Sequence, residues 1–338
     1  MLTVDVHNHF IPPTVISDAR RGAGFDGLRV ETVDGHEELV HRQGYHYPLD
    51  PVFFDVEKRL AAMDKAGTDI SVISIAPTLF MYWAAPDETA EFARRANDAL
   101  ASLTAESGGR LVGIATLPMQ DTDAAVTELR RAVEDLGMPG AEIGPAVEGR
   151  PLDDAGVRPV LATASTLGVP LVFHPYYVGA QPGLSDFYLT NLIGNPLQST
   201  VSAARLIFSG VLDELPDLRV VLMHGGGYLP YQIGRLDHGH DVRPECVGCR
   251  RPPSAYLDRF WCDTVTHAPT PLRFLLDLVG PSHVVFGTDF PFDMAAGAFD
   301  EQLRGIELTA DAREAVAGGN ARRLFGIPTT ATSPVTSG

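Results

Sequence analysis

The sequence is short of cysteine, of basic charge and of long apolar runs. Three cysteines in 338 residues cannot build the disulfide framework of a small secreted protein. No stretch approaches the roughly 20 apolar residues that span a bilayer. The opening residues, MLTVDVHNHFIPP, carry neither a basic leader nor a long apolar run, so they do not read as a secretion signal. A reducing, cytoplasmic setting is expected. Acidic side chains outnumber basic ones 43 to 26, for a formal net charge of −17. That argues against nucleic acid or an anionic membrane as partner, because phosphate binding needs basic patches. It leaves a small anionic substrate open, since a pocket need only be locally positive. No G-x-G-x-x-G follows the first apolar run, where HNHFIPP stands instead. An open, doubly wound dinucleotide-binding sheet therefore lacks its usual first turn.

What is present is an ordinary globular core, with 45% apolar and 20% charged residues. Short apolar runs alternate with helical stretches. The runs are TVDVHNHF (3–10), DISVISIAP (69–77), LVGIATLP (111–118), GAEIG (140–144), VPLVFHPYY (169–177), RVVLMHGG (219–226), FWCDTVTH (260–267) and HVVFGTDFP (283–291). Most are rich in Val and Ile, and several are apolar through both faces, as a parallel strand buried on both sides requires. Between them, Val56, Leu60 and Met63 sit at i, i+4 and i+7 before a stop at Gly67. Residues 86–106 read as a long helix, and Asp121 or Thr122 caps another that runs towards Gly137. Eight strands alternating with helices predict an α/β fold, a (β/α)8 TIM barrel with an inserted segment after strand 1. The expected organisation is a single barrel over 1–327, with an insertion at about 15–50 and a disordered polar tail at 328–338. Residues 20–50 are expected to form an inserted loop or small hairpin. A second excursion, 178–196, follows strand five. Both sit where a barrel carries its catalytic loops.

His7 and His9 are two apart on a predicted strand, so both project from one face. An H-x-H alone is a weak signal. Its weight comes from recurrence: His174 ends strand five, His224 ends strand six and Asp289 ends strand eight. These groups would converge on one mouth of a barrel, where uncompensated charge is costly. A divalent ion resolves that cost, because imidazoles donate as neutral ligands and a carboxylate offsets the positive charge.

These segments, DVHNHFIPP, MYWAAPDET, GIATLPMQ, FHP, HGGGYLPYQIGRLDHG and GTDFPF, together resemble the amidohydrolase superfamily. The branch they resemble contains 2-amino-3-carboxymuconate-6-semialdehyde decarboxylase and related aromatic-acid decarboxylases. The resemblance implies His7, His9, His174 and Asp289 as metal ligands, with zinc the expected ion and manganese the alternative. It implies His224 as an acid/base residue, or else a fifth ligand, and either His224 or Asp289 as the proton donor. Arg235 matches an arginine that in the branch reaches a substrate carboxylate, sometimes across a dimer interface, so a homodimer is expected. Tyr176 and Phe292 are candidate pocket walls, each equally readable as ordinary packing. A second substrate arginine of the branch has no clear counterpart in GYHYPLDPVFF, Arg42 lying further upstream, and Asn191 stands where tryptophan is common. The substrate implied is a monocarboxylate rather than a dicarboxylate.

The function expected is metal-dependent, non-oxidative decarboxylation of a small unsaturated or aromatic carboxylic acid. A hydrolase of an amide, ester or lactone on the same site is the alternative, and a non-catalytic ligand-binding barrel is a third reading. Cys246 and Cys249 form a C-x-x-C without a second pair and read as free thiols. His238 and His240 read as diverging side chains, and His267 as a second-layer or structural histidine.

Overall fold

The computed structural model describes residues 1–176 and 182–328. The expected tail from 329 onward, and the start of the excursion after the fifth run, lie outside the described residues. The runs form parallel strands that are shorter than the runs themselves: β1 (Val4–Phe10), β2 (Ile70–Ile75), β3 (Leu111–Gly113, resuming at Ala115–Thr116), β4 (Ala141–Ile143), β5 (Leu171–Phe173), β6 (Val220–Leu222), β7 (Phe260–Asp263) and β8 (Val284–Val285). One sheet runs β1-β2-β3 and a second runs β3-β4-β5-β6-β7-β8, every pairing parallel. The two halves of β3 serve different neighbours, the first pairing with β2 and the second with β4. Beyond β8 the chain runs back alongside β1. Val6 N–H donates to Phe286 O (2.9 Å), Asp289 N–H to His7 O (2.8 Å) and His9 N–H to Phe290 O (2.8 Å).

The longer helices between the strands are α1 (Pro13–Arg20), α2 (Val56–Ala66), α3 (Pro86–Glu106), α4 (Thr122–Glu134), α5 (Arg158–Leu167), α6 (Asn195–Phe208), α7 (Leu229–Val242) and α8 (Pro269–Val279). Their ends follow local chemistry. Asp55 and Asp121 accept from the N–H groups of Lys58 and Ala124, satisfying donors that the first turn leaves free. Gly67 ends α2 in the left-handed region. Pro86 opens α3, followed by Asp87 and Glu88 in the first turn, where acidic charge meets the positive helix end.

Two apolar clusters share the strands. The larger lies between strands and helices. The smaller takes the opposite strand face, through Val4, Val6, Ile70, Val72, Val172, Val221 and Val285, and is sealed by Leu324 and Phe325 near the chain end. Between β1 and β2 the chain forms α1 and then a three-stranded antiparallel sheet: Arg29–Val33, His36–Val40 and His46–Pro48. The expected loop or hairpin is thus one strand larger. Its first turn is Asp34-Gly35, both at positive φ, the pairing a tight hairpin favours. The sheet reaches back over the strand ends through Tyr47. That side chain's hydroxyl lies 3.1 Å from Thr78 Oγ1, and its ring packs against Phe53 and Phe292.

Candidate metal centre and catalytic pocket

β1 carries a bulge. Asp5 pairs with Ser71 but Asn8 pairs with Ile73, three residues against two. Such an extra residue re-aims side chains. Val4 and Val6 belong to the smaller apolar cluster, while His7 and His9, of opposite parity, meet His174 and Asp289. One donor atom from each of these four residues lies within 4.8 Å of the others, and all four residues are buried. Asp289 Oδ1 is 3.2 Å from His7 Nε2, 3.1 Å from His9 Nε2 and 4.0 Å from His174 Nε2. Donors placed about 2.1 Å from one tetrahedral ion are roughly 3.4 Å apart, so one ion fits between them.

The second nitrogen of each imidazole is already engaged. His7 Nδ1 lies 2.6 Å from Asp263 Oδ2, and His174 Nδ1 donates to Pro175 O at 2.6 Å. His9 Nδ1 faces Ser74 Oγ at 3.4 Å, and that hydroxyl donates to Asn8 O. A carbonyl or carboxylate can only accept, so the ring proton sits on Nδ1 and the Nε2 lone pair is left to face the centre. The three Nε2 atoms and Asp289 Oδ1 are buried without a well-formed hydrogen bond. Such orphaned groups are rare unless an ion or water satisfies them. The electrostatics agree. Burial acts to lower the His7 pKa, yet the Asp289 carboxylate and the Asp263 hydrogen bond drive it up to about 10. Burial, with His7 and His224 beside it, pushes His9 down to about 4. Asp289 is held well below its ordinary range against burial, first by the charge of His7. The carboxylate calls for a cation, and the donors fit a divalent one.

His224 follows β6 in a turn with positive φ at His224, Gly225, Gly226 and Gly227. A Cβ on Gly226 would lie 2.7 Å from Cys262 Sγ, and one on Gly227 would lie 2.2 Å from Pro196 O, so only glycine fits. The turn brings His224 Nε2 to 3.6 Å from Asp289 Oδ2. Asp263 ties turn and ligand together: its Oδ2 meets His7, while its Oδ1 accepts from Gly225 N–H (2.6 Å) and Val265 N–H (3.2 Å). Sequence reasoning missed Asp263. The signal was there, an acid ending an apolar run in FWCD, but the run was extended past it to His267. Arg59 was also missed. It is wholly buried on α2, donates to His9 O and Val52 O, and lies over the Phe10 and Phe290 rings, pinning the end of β1.

Of the other expected site residues, Tyr176 and Phe292 line a small lobe against His174, and Phe292 also packs on the His9 ring at 5.2 Å. Arg235 is not brought to the four donors. It stands exposed on α7, four residues from Tyr231, without an ion pair among the described residues. His267 is exposed at positive φ and lines the larger lobe. Arg42 pairs with Asp26 on the surface at 3.3 Å. Cys246, Cys249 and Cys262 are free thiols.

The amidohydrolase family profile matches residues 4–327. The chain belongs to the amidohydrolase superfamily. Within it, this amidohydrolase falls in the 2-amino-3-carboxymuconate-6-semialdehyde decarboxylase-like branch. It is 31% identical over 335 residues to the 2-amino-3-carboxymuconate-6-semialdehyde decarboxylase of Dictyostelium discoideum, an alignment covering 96% of this chain and 92% of the relative. Among solved structures it resembles 5-carboxyvanillate decarboxylase from Sphingomonas paucimobilis, with a TM-score of 0.82, 26% identity and coverage of 97% and 99% of the two chains. It also resembles a dihydroxybenzoic acid decarboxylase from Polaromonas sp. JS666 with bound manganese and 2-nitroresorcinol, with a TM-score of 0.77, 26% identity and coverage of 96% and 97%.

Proposed function

We infer that this amidohydrolase is a metal-dependent, non-oxidative decarboxylase, a carbon–carbon lyase acting on a small unsaturated or aromatic carboxylic acid. The observation that carries the reading is the cluster of three buried imidazoles and Asp289, with His224 beside it at the wall of an open cleft. The decarboxylases it resembles support the same reading.

His7, His9, His174 and Asp289 are the ligands. When bound, the divalent ion supplies positive charge that orients substrate oxygens and offsets developing negative charge. Direct loss of CO2 would leave a vinyl or aryl carbanion. Protonating the carbon that bears the carboxylate avoids it: the C–C bond then breaks, CO2 leaves, and the bond's electron pair restores the unsaturated system. Either His224 or Asp289, whose Nε2 and Oδ2 lie 3.6 Å apart, delivers the proton, and Tyr176 and Phe292 hold the substrate against His174. We assign zinc on the imidazole-rich donor set, with manganese, present in the Polaromonas neighbour, as the alternative that elemental analysis decides.

We further read the two sheets as one (β/α)8 TIM barrel over 1–327, with an insertion after its first strand. The hydrogen bonds from β1 to residues 286–290 support closure. Tyr231, one helical turn before Arg235, and Phe274, whose ring lies 6.1 Å from that of Tyr231, are exposed and support a homodimer in which the Arg235 guanidinium meets a substrate carboxylate. Three unpaired cysteines accord with a cytoplasmic setting.

The test is product analysis on metal-loaded enzyme in D2O. The reading expects CO2 and one deuteron fixed at the carbon that carried the carboxylate. Solvent 18O in the product without CO2 would make the protein a hydrolase.

A further inference from the structure

Two lobes open from the candidate metal centre and share His224 and Asp289 as walls. The smaller encloses about 60 Å3 against Thr78, His174, Tyr176 and Phe292. A benzene ring fits a cavity of about 150 Å3, so this lobe receives a short substituent and not the ring that bears it. The carbon to be protonated lies where the lobes meet, beside His224 and Asp289. The one substituent that the decarboxylase reading guarantees on that carbon is the carboxylate. Thr78 offers this lobe a hydroxyl whose direction is set from behind. It is buried in the short turn Pro77–Leu79 after β2, and its Oγ1 lies 3.1 Å from the Tyr47 hydroxyl of the inserted sheet. Among the described residues, each of these hydroxyls has the other as its only hydrogen-bond partner. The pair owns two protons, and the bond between them uses one. The phenol is the stronger acid and the better donor, and burial pushes its ionisation further upward, so it keeps its proton. Tyr47 O–H therefore donates to Thr78 Oγ1, and the threonine proton is left over. A buried hydroxyl proton without an acceptor is costly, and the substrate brings an acceptor to the lobe that Thr78 lines.

We propose that Thr78, aimed by Tyr47, donates a hydrogen bond to an oxygen of the departing carboxylate and so fixes that group in the smaller lobe. The proposal rests on the decarboxylase reading and adds the residue of this chain that holds the leaving group. Arg235 of the homodimer can bind the same group, because the two oxygens of a carboxylate offer about four acceptor sites. Asp293 also lines the lobe, but it is exposed, and water and salt screen its charge. The carboxylate gives up its charge as CO2 forms, so a bond to it is no stronger in the transition state than in the ground state. Thr78 therefore lowers KM without raising kcat, and Tyr47 is a positioning residue that acts through it.

The experiment uses metal-loaded, full-length enzyme and follows CO2 release from benzoic acids hydroxylated at ring position 2, 4 or 6. The acid turned over best is the substrate, and its own product, the same ring without the carboxylate, serves as competitive inhibitor. Thr78→Val keeps the shape of the side chain and deletes its hydroxyl. KM should rise about 10- to 100-fold, the loss of a hydrogen bond to a charged group, with kcat level or higher. The inhibition constant of the product should stay within about twofold of wild type, whereas a merely structural role would move both. Thr78→Ser should keep KM near wild type. Tyr47→Phe alone should raise KM about two- to tenfold and should add nothing in the Thr78→Val background. That double variant deletes both partners together and leaves no buried hydroxyl stranded. If KM in the double variant stays within about twofold of wild type, or the inhibition constant rises in step with it, the proposal is overturned while the decarboxylase reading stands. A fall in kcat at constant KM also overturns it. Release of CO2 from none of the acids by the wild-type enzyme sinks the decarboxylase reading, and this proposal with it.

Discussion

Asp263→Asn removes one charge and keeps the shape of the side chain. In the native protein Asp263 Oδ1 accepts from Gly225 N–H at 2.6 Å and from Val265 N–H at 3.2 Å, while Oδ2 meets His7 Nδ1 at 2.6 Å. The two backbone donors compel the asparagine to place its oxygen at the Oδ1 position. Its NH2 then faces His7 Nδ1 and donates to it. The imidazole proton moves to Nε2, where the lone pair for the ion should be. Asp263→Ala is less clean, because it also strands the buried Gly225 N–H at a cost of about 1–3 kcal/mol. For the asparagine, losing a partner behind a metal-ligating histidine weakens metal affinity by about 10- to 100-fold, or roughly 1.4–2.7 kcal/mol. Titration of metal-free protein with zinc against a chromophoric chelator measures this directly. A parallel melting curve of the metal-free variant shows that the fold survives. A metal affinity within twofold of wild type, in a folded variant, would refute the argument that Asp263 sets the His7 tautomer.

Other consequences can be checked in the same material. His224→Ala should retain the ion and lose about 100- to 10,000-fold in turnover, the contribution of a positioned proton donor; full activity would remove His224 from the mechanism. Stripping the ion should lower the melting temperature as well as activity, because three imidazoles and a buried carboxylate lose their common partner. Restoring zinc at 100 times its dissociation constant should return about 2.7 kcal/mol, read as a concentration-dependent melting shift. Glu142 is buried on β4, and desolvation pushes its carboxyl from an ordinary 4.5 up to about 8. Between those two values the metal-free native state keeps a proton that the unfolded chain has lost. Its stability therefore falls as pH rises through that window, by at most about 1.4 kcal/mol per pH unit. Glu142→Gln abolishes that fall, so the melting advantage of the variant over wild type should grow from pH 5 towards pH 8. A difference independent of pH would contradict it.

Much of the architecture was legible because parallel strands buried on both faces advertise themselves as Val/Ile runs, and because Gly67 and Asp121 mark helix ends by chemistry that acts locally. The strands proved shorter than their runs. FHP, MHGG and GTDF are apolar through their neighbours but serve as turns, with His224 and Asp289 at positive φ. The site was legible as residue types at strand ends and illegible as aim. Plain alternation from Val4 and Val6 would turn His7 and His9 towards the helices, and only the bulge in β1, which no single residue encodes, reverses them. Asp263 needed knowledge of where β7 stops, and Arg59 needed knowledge that α2 packs beneath β1. Both are long-range facts. The inserted sheet showed itself as Gly, His and Tyr without apolar periodicity, and its third strand pairs through residues that are mostly exposed.

The four donors are dispersed from His7 near the start of the chain to Asp289 near its end. A nascent polypeptide still missing its last strand owns every imidazole and lacks the only anion in the set. An ion held by all four would therefore require the first strand and the turn after the eighth to have met, and its binding would report on that long-range pairing.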